Sequence, residues 1–260
     1  MHKWFSKMLF VVGLAAIAAL FAAPARAQMM DDKEKAPVYT YVSEWAVPRA
    51  SWPAYEKGIP DTKKLMDKFV ADGTLVGYGW FKNLVHQEGA STHGDWFSAT
   101  SVGNLMKALN ALMAQGAAAG PDKVLAESKH WDYILVSRQY GKHAGTFENS
   151  YLRVSSFKAK HGEGETVEKA LNSYIIPRLE KLLADGAIHF YSIDREAIHT
   201  NDPAEFDIVV ITNGTDGLDK YYASLDAAAK ANPTGGPAFG SATEGSAHRD
   251  FLSLSTAVFK

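Results

Sequence analysis

Two His-x-Asp pairs are the residues in this chain whose types and spacing most suggest chemistry. His130 and Asp132 lie in Ser128-Lys129-His130-Trp131-Asp132-Tyr133, and His248 and Asp250 lie in Ser246-Ala247-His248-Arg249-Asp250-Phe251. Residues i and i+2 of a strand share a face. Each pair could therefore offer an imidazole and a carboxylate to zinc or non-haem iron. The same face continues as Ile134 and Val136, or Leu252 and Leu254, which marks it as the side packed against helices. An Asp at a strand entrance also commonly accepts backbone hydrogen bonds, and no third ligand stands nearby. Structural repetition is the better reading, and no metal site is expected.

Arg153 and Asp207 form the sharpest candidate pair. Both fall in apolar-alternating stretches that read as neighbouring strands. A buried guanidinium needs a partner, and a carboxylate matches it geometrically. Arg153 would orient an anionic or carbonyl-bearing ligand while Asp207 holds it or accepts a proton. The bland alternatives are a structural ion pair, or a strand phase that exposes both. His86 and His199 occupy matched loop positions and are expected to be solvated, as are His93, His143 and His161. A nucleotide-binding Gly loop, a Gly-x-Ser-x-Gly elbow and a His-Glu-x-x-His pair are all missing.

The elements that must position these residues come in two sets. Besides the His-x-Asp motifs, Val70-Ala71-Asp72-Gly73 matches Leu183-Ala184-Asp185-Gly186, with His86 and His199 thirteen residues beyond each Gly. Two matches in the same order point to a duplicated unit. The first copy, residues 38–140, reads as strand Val38–Glu44, a helix ending at Ala71, strands Leu75–Lys82 and Trp96–Val102, helix Leu105–Met113 and strand Tyr133–Ser137. Residues 141–149 read as a linker. The second copy, residues 150–260, repeats the order with strand Tyr151–Phe157, helix Glu165–Ala184, strands Ile188–Asp194 and Phe206–Thr212, helix Leu218–Lys230 and strand Phe251–Val258. The Pro/Gly-rich Asn232–Gly245 stretch reads as a loop that could cover a site.

A strand-helix-strand-strand-helix-strand unit is the ferredoxin-like pattern. Helices cover one face of each sheet, and two copies can cover the other by packing sheet to sheet. The fold class expected is α+β, two tandem ferredoxin-like repeats. That arrangement resembles the dimeric α+β-barrel superfamily fused into one chain, which includes antibiotic-biosynthesis monooxygenases, EthD-like and NIPSNAP-like proteins and haem-binding chlorite dismutases. The resemblance rests on element order and duplication. It implies a small-molecule pocket between the sheets and, by analogy, cofactor-independent monooxygenase-like chemistry on an aromatic or carbonyl compound, with Arg153 stabilising a substrate-derived anion. A chlorite-dismutase-like protein would instead need an axial His, for which His189 and His248 are the candidates. No cofactor is otherwise called for.

Alternation places Tyr39, Tyr41 and Ser43 inside, with Trp96, Ser98 and Thr100, and with Tyr133 and Ser137. In the second copy it places Tyr151, Arg153 and Ser155 inside, then Asp207, then Phe251, Ser253 and Ser255. Tyr78 and Trp80 match Tyr191 and Ile193 on the second strands, with His189 beside them. The ligand-binding set expected is Arg153, Asp207, Tyr39, Tyr41, Trp96, Tyr133, His189 and Tyr191. The rival is a non-enzymatic interaction protein whose interior is packed solid.

Composition narrows the partners. Lys3 and Lys7, an apolar run from Met8 to Ala22, and Ala25-Arg26-Ala27 have the form of a Sec-type signal peptide over residues 1–27. The apolar run is shorter than the roughly 20 residues of a membrane span. Residues 28–37 read as a flexible lead-in, and the product is expected in the periplasm or outside the cell. Without the leader, 24 Lys and Arg stand against 29 Asp and Glu, which argues against nucleic acid or an anionic membrane surface as partner. No cysteine is present, so disulfides and thiolate chemistry are excluded. The oligomeric state is left open.

Overall fold

The computed structural model describes residues 34–85, 89–119, 122–198 and 205–260. The leader, most of the lead-in, and both His86 and His199 lie outside the described residues.

The elements run in chain order as β1 (Val38–Ala46), α1 (Trp52–Ala71), β2 (Gly77–Asn83), β3 (His93–Ala99), α2 (Val102–Ala119), α3 (Lys123–Ala126) and β4 (Lys129–Lys142). They continue as β5 (Gly145–Lys158), α4 (Gly164–Ala170), α5 (Ile176–Ala184), β6 (Ile188–Glu196), β7 (Glu205–Thr212), α6 (Gly214–Ala231), α7 (Gly235–Ala242) and β8 (Arg249–Phe259). The two long helices before β2 and β6 end alike. Gly73 takes φ +81° and Gly186 φ +69°, the left-handed turn that a residue with a Cβ resists. That shared stop is what the repeated Ala-Asp-Gly motif encodes.

All eight strands hydrogen-bond into one closed barrel, in the order β1-β3-β2-β8-β5-β7-β6-β4 and back to β1. Strands β1 to β4 are contiguous in the order β4-β1-β3-β2, and β5 to β8 in the matching order β8-β5-β7-β6. The halves do not simply lie face to face as separate sheets. They are stitched along two seams, β2 with β8 and β4 with β6, so no strand keeps a free edge.

Helices coat the outside and create two outer cores. Met66, Phe69, Leu75, Tyr78, Phe97 and Leu105 pack α1 and α2 onto the first half. Leu171, Ile176, Leu179, Ile188, Tyr191 and Ile208 do the same in the second. A third cluster lies inside the barrel and includes Phe81, Trp96, Leu152, Ile211 and Phe259.

Several expected elements take a different form. The supposed linker is mostly strand, because β4 runs to Lys142 and β5 starts at Gly145. Only residues 143–144 separate them. The single helix Glu165–Ala184 is interrupted by a π-helical turn, Leu171–Ile175, just before Pro177 at the start of α5. A wider turn accommodates a residue that cannot donate to the helical ladder. The Pro/Gly-rich stretch is not an open loop: it forms α7. Its end is tied to β5 by Lys160 N–H donating to Ala242 O at 2.9 Å and Glu244 N–H donating to Lys158 O at 2.8 Å. His93 is not in a polar loop but opens β3 at 1% exposure. Its ring packs near Trp52 and Tyr55, and its Nδ1 lies 3.0 Å from Thr92 Oγ1.

Candidate functional site

The register of the strands decides which side chains enter the barrel. Thr40 lies opposite Ser98 and Val42 opposite Trp96. Thr40 Oγ1 and Ser98 Oγ meet at 2.8 Å. In the second half of the barrel, Ser156 stands opposite Asp207, and Asp207 opposite Asp194. These residues line a cavity of about 440 Å³ in the barrel interior.

The cavity is graded along the barrel axis. At its deep end Trp96 stacks near Phe190 (6.5 Å between centroids) and Phe259 (5.5 Å), and Phe190 stacks on Phe259 at 4.9 Å. Glycines make room for these rings. A Cβ on Gly79 would fall 2.8 Å from the Trp96 ring, and one on Gly94 would fall 2.3 Å from that of Phe81. Apolar walls follow, made by Val42, Leu135, Leu152, Val154 and Val209. At the mouth the lining turns acidic, with Glu44, Asp194, Glu196, Glu205 and Asp207, together with Tyr133 and Arg249.

Three of the mouth carboxylates accept from serine hydroxyls. Ser156 Oγ donates to Asp207 Oδ1 at 2.5 Å, Ser137 Oγ donates to Asp194 Oδ1, and Ser91 Oγ donates to Glu44 Oε1 at 3.2 Å. Burial pushes the Asp207 carboxyl up to about 7, and Asp194, Glu205 and Glu44 push the same way against the Ser156 hydrogen bond. Burial likewise raises Asp194 and Glu44 above the ordinary carboxylate range. The Tyr133 phenol is pushed up to about 12, first by burial and then by Glu44. Arg249 sits at the rim, where its Nη1 donates to the carbonyls of Ser246 (2.8 Å) and His248 (2.7 Å).

Of the expected ligand-binding set, the structure brings Trp96, Tyr133 and Asp207 into this cavity. The others are elsewhere. Tyr39 and Tyr41 face the outer core beneath the helices, and Tyr41 donates its hydroxyl to Asp132. Tyr191 is buried in the outer core of the second half. Tyr78 and Trp80 also face outward, with the Tyr78 hydroxyl donating to Asp67 at 2.5 Å. His189 stacks on Phe147 at 3.8 Å, away from the cavity lining.

The Arg153–Asp207 pair is not formed. Arg153 stands opposite Val210, on the outer face, while Asp207 stands opposite the inward Ser156. The Arg153 guanidinium instead reaches Asp250 Oδ1 at 2.9 Å and donates to the Tyr221 hydroxyl at 3.0 Å. Arg153, Ser155 and Tyr151 therefore belong to the sheet's outer side, as Tyr39, Tyr41 and Ser43 do. Their polarity reflects hydrogen bonding under and beside the helices, not a polar interior.

Sequence reasoning missed Glu44, Asp194, Glu196 and Glu205. Cross-strand register was the usable signal: with Asp207 inward, a β6 partner directly opposite must be inward too.

The two His-x-Asp motifs adopt matched geometry on that outer side. Ser43 faces Asp132 across β1 and β4, and Ser155 faces Asp250 across β5 and β8. His130 Nε2 is 2.9 Å from Asp132 Oδ1, and His248 Nε2 is 3.4 Å from Asp250 Oδ2. Trp45 stacks on His130 at 3.7 Å, and Phe157 on His248 at 4.4 Å. Among the described residues no three His, Asp or Glu side chains converge as metal ligands. Nearby, the carboxyl of the partly buried Asp95 is raised to about 7, by desolvation and then by Asp132.

Haem, which the resemblance to chlorite dismutases raises as an alternative, does not suit the interior cavity. Its lining holds no His, Met or Cys to serve as an axial ligand, Tyr133 being the one phenol there, and its carboxylates would repel an anionic macrocycle. His189 and His248 are both engaged in ring stacks outside it.

No protein-family model matches the chain, and neither does any curated protein. Solved structures do. A candidate monooxygenase from Lactobacillus acidophilus NCFM superposes with a TM-score of 0.62 at 10% identity, over 86% of this chain and 97% of that one. A second candidate monooxygenase, from Fusobacterium nucleatum subsp. nucleatum, gives 0.60 at 8% identity over 87% and 95%. A candidate chlorite dismutase gives 0.50 at 10% identity over 84% and 94%. At such identities the likeness is one of fold. What the chain shares with these structures is an α+β fold in which helices coat a closed eight-stranded barrel.

Proposed function

We propose that this is an exported protein that binds a small organic molecule inside its β-barrel. One observation carries the reading: a barrel of this strand number can be filled by its own side chains, yet this one keeps a cavity of about 440 Å³ with an aromatic floor, apolar walls and a polar rim. Few polar groups converging on an apolar pocket are the usual character of a small-molecule site. The fold likeness to candidate monooxygenases is compatible with this use of the interior. The matched strand orders and the matched His-x-Asp geometry support descent of the two halves, as tandem ferredoxin-like repeats, from one duplicated unit.

A second reading, oxygenase-like turnover of a carbonyl compound, draws on Asp207. A carboxyl held near neutrality beside an apolar cavity is suited to accept a proton from a substrate. Such chemistry leaves an anion, and the acidic rim would oppose it. Arg153, the expected stabiliser, faces the other way. Binding is therefore the favoured function.

Native mass spectrometry of protein purified without denaturation, compared with the denatured sample, tests it. A released compound of a few hundred daltons at stoichiometric level is expected, and its retention should fail when Val154→Trp fills the cavity. A ligand retained equally by that variant would place binding elsewhere and refute the proposal.

A further inference from the structure

Asp194 and Asp207 face one another in register across β6 and β7, both on the inner face of the barrel. Directly opposed like charges destabilise a sheet, and burial makes the pair more costly. Asp194 is only 5% exposed. Each is bonded to a serine hydroxyl, and among the described residues neither has a cation within ion-pair distance. Arg195, next along β6, is turned to the outer side and paired with Glu168. Glu44 adds a third carboxylate to the same rim. One rung deeper on β6, Ser192 is opposite the cavity-lining Val209; its buried hydroxyl is directed to Asp194, whose ionised form it favours, and no donor reaches its oxygen. The unpaired negative charge and the unused acceptor thus sit directly above an aromatic floor.

Resting on the reading of the interior as a binding site, we propose that its ligand is an organic cation: a small amine whose ammonium sits between Asp194 and Asp207 and whose aromatic or aliphatic body lies against Trp96 and Phe190. An ammonium supplies donors to both carboxylates and to Ser192 Oγ, and relieves their mutual repulsion. Its apolar body meets the uncharged floor and walls of the cavity. An anion would meet repulsion at the rim, where five carboxylates outnumber the Arg249 guanidinium, itself turned onto the carbonyls of Ser246 and His248. A neutral carbonyl compound would leave the facing carboxylates uncompensated. A divalent metal would need a third converging carboxylate or imidazole, and none is so placed among the described residues.

The test uses three probes of one shape and different charge, 2-phenylethylamine, 2-phenylethanol and 3-phenylpropionate, titrated calorimetrically into the full-length folded protein at pH 8. The amine is expected to bind at least about tenfold more tightly than the alcohol, a difference of about 1.4 kcal/mol, and the carboxylate to show no binding. Asp194→Asn and, independently, Glu44→Gln should each weaken the amine several-fold and leave the alcohol unchanged. Alcohol or carboxylate binding as tightly as the amine would overturn the cation assignment while leaving the cavity a binding site. No binding by any of the three, with Trp96 fluorescence unmoved, would overturn both. Calcium or magnesium binding in the micromolar range, abolished by Asp194→Asn, would replace the amine with a metal and overturn the assignment too.

Discussion

Replacing Asp207 with Asn is the most direct probe of the acidic rim, because its effect should depend on pH in a defined direction. Asp207 is moved from an ordinary 3.8 to about 7 by burial and by the carboxylates around it. The folded state therefore holds a proton that the unfolded chain has lost across the window between about pH 4 and pH 7. Stability falls as pH rises through that window. At roughly 1.4 kcal/mol per tenfold, the shift corresponds to about 4 kcal/mol of penalty on the ionised form once the pH exceeds 7. Asn keeps the shape, can still accept from Ser156, and can donate its amide to Asp194 across the strand pair. Asp207→Asn should therefore match the wild type only below about pH 4, where both states of the wild type are protonated, and exceed it by about 2–4 kcal/mol at pH 8. For a domain of this size that is about 5–10 °C in Tm. Ligand-free wild type and variant would be unfolded thermally from pH 5 to pH 8. A Tm difference that stays flat across that range, or a variant less stable at pH 8, would refute the picture of a buried, repelled carboxylate.

Other expectations follow from single contacts. Arg153→Ala should leave ligand binding intact and cost about 1–2 kcal/mol of stability, since the guanidinium packs on Tyr221 and pairs with Asp250 outside the barrel. Chemical denaturation beside a binding titration would separate the two effects. Leu179→Ala, at a fully buried position of α5, should cost about 2–5 kcal/mol in urea unfolding. Gly94→Ala would set a Cβ 2.6 Å from the Ser43 carbonyl and against Phe81. A loss of at least about 2 kcal/mol is expected, and an unchanged urea midpoint would show that the ring can retreat. Intact mass of the secreted product should show a chain beginning near Gln28.

The architecture was largely written in local patterns, and the site was not. Element order came through because helix stops such as Asp72-Gly73 and Asp185-Gly186 and the alternating stretches each act over a few residues. Phase failed on β1 and β5 because it depends on a partner strand. Tyr41 and Ser43 look like pocket residues beside Val42, yet their hydroxyls serve Asp132 and His130 at the outer face. Arg153 and Asp207 could not both point inward once Ser156 paired with Asp207, for the two then fall on opposite faces. Glu44, Glu196 and Glu205 were passed over because charged residues at strand ends usually meet solvent. Closure of the barrel is what gathers them around one opening.

That closure also governs how the chain reaches its shape. Tyr78 pairs beside Val258 and Leu135 beside Glu196, so the ring shuts only through meetings between segments distant along the polypeptide. Such topologies fold slowly, because loop entropy must be lost before the long-range contacts form. Until β8 slots between β2 and β5, the first half keeps an unpaired rim and has no partner to lock against. If the chain is exported as proposed, a ring that locks only with its last strand would leave the polypeptide pliable until that strand has crossed the membrane.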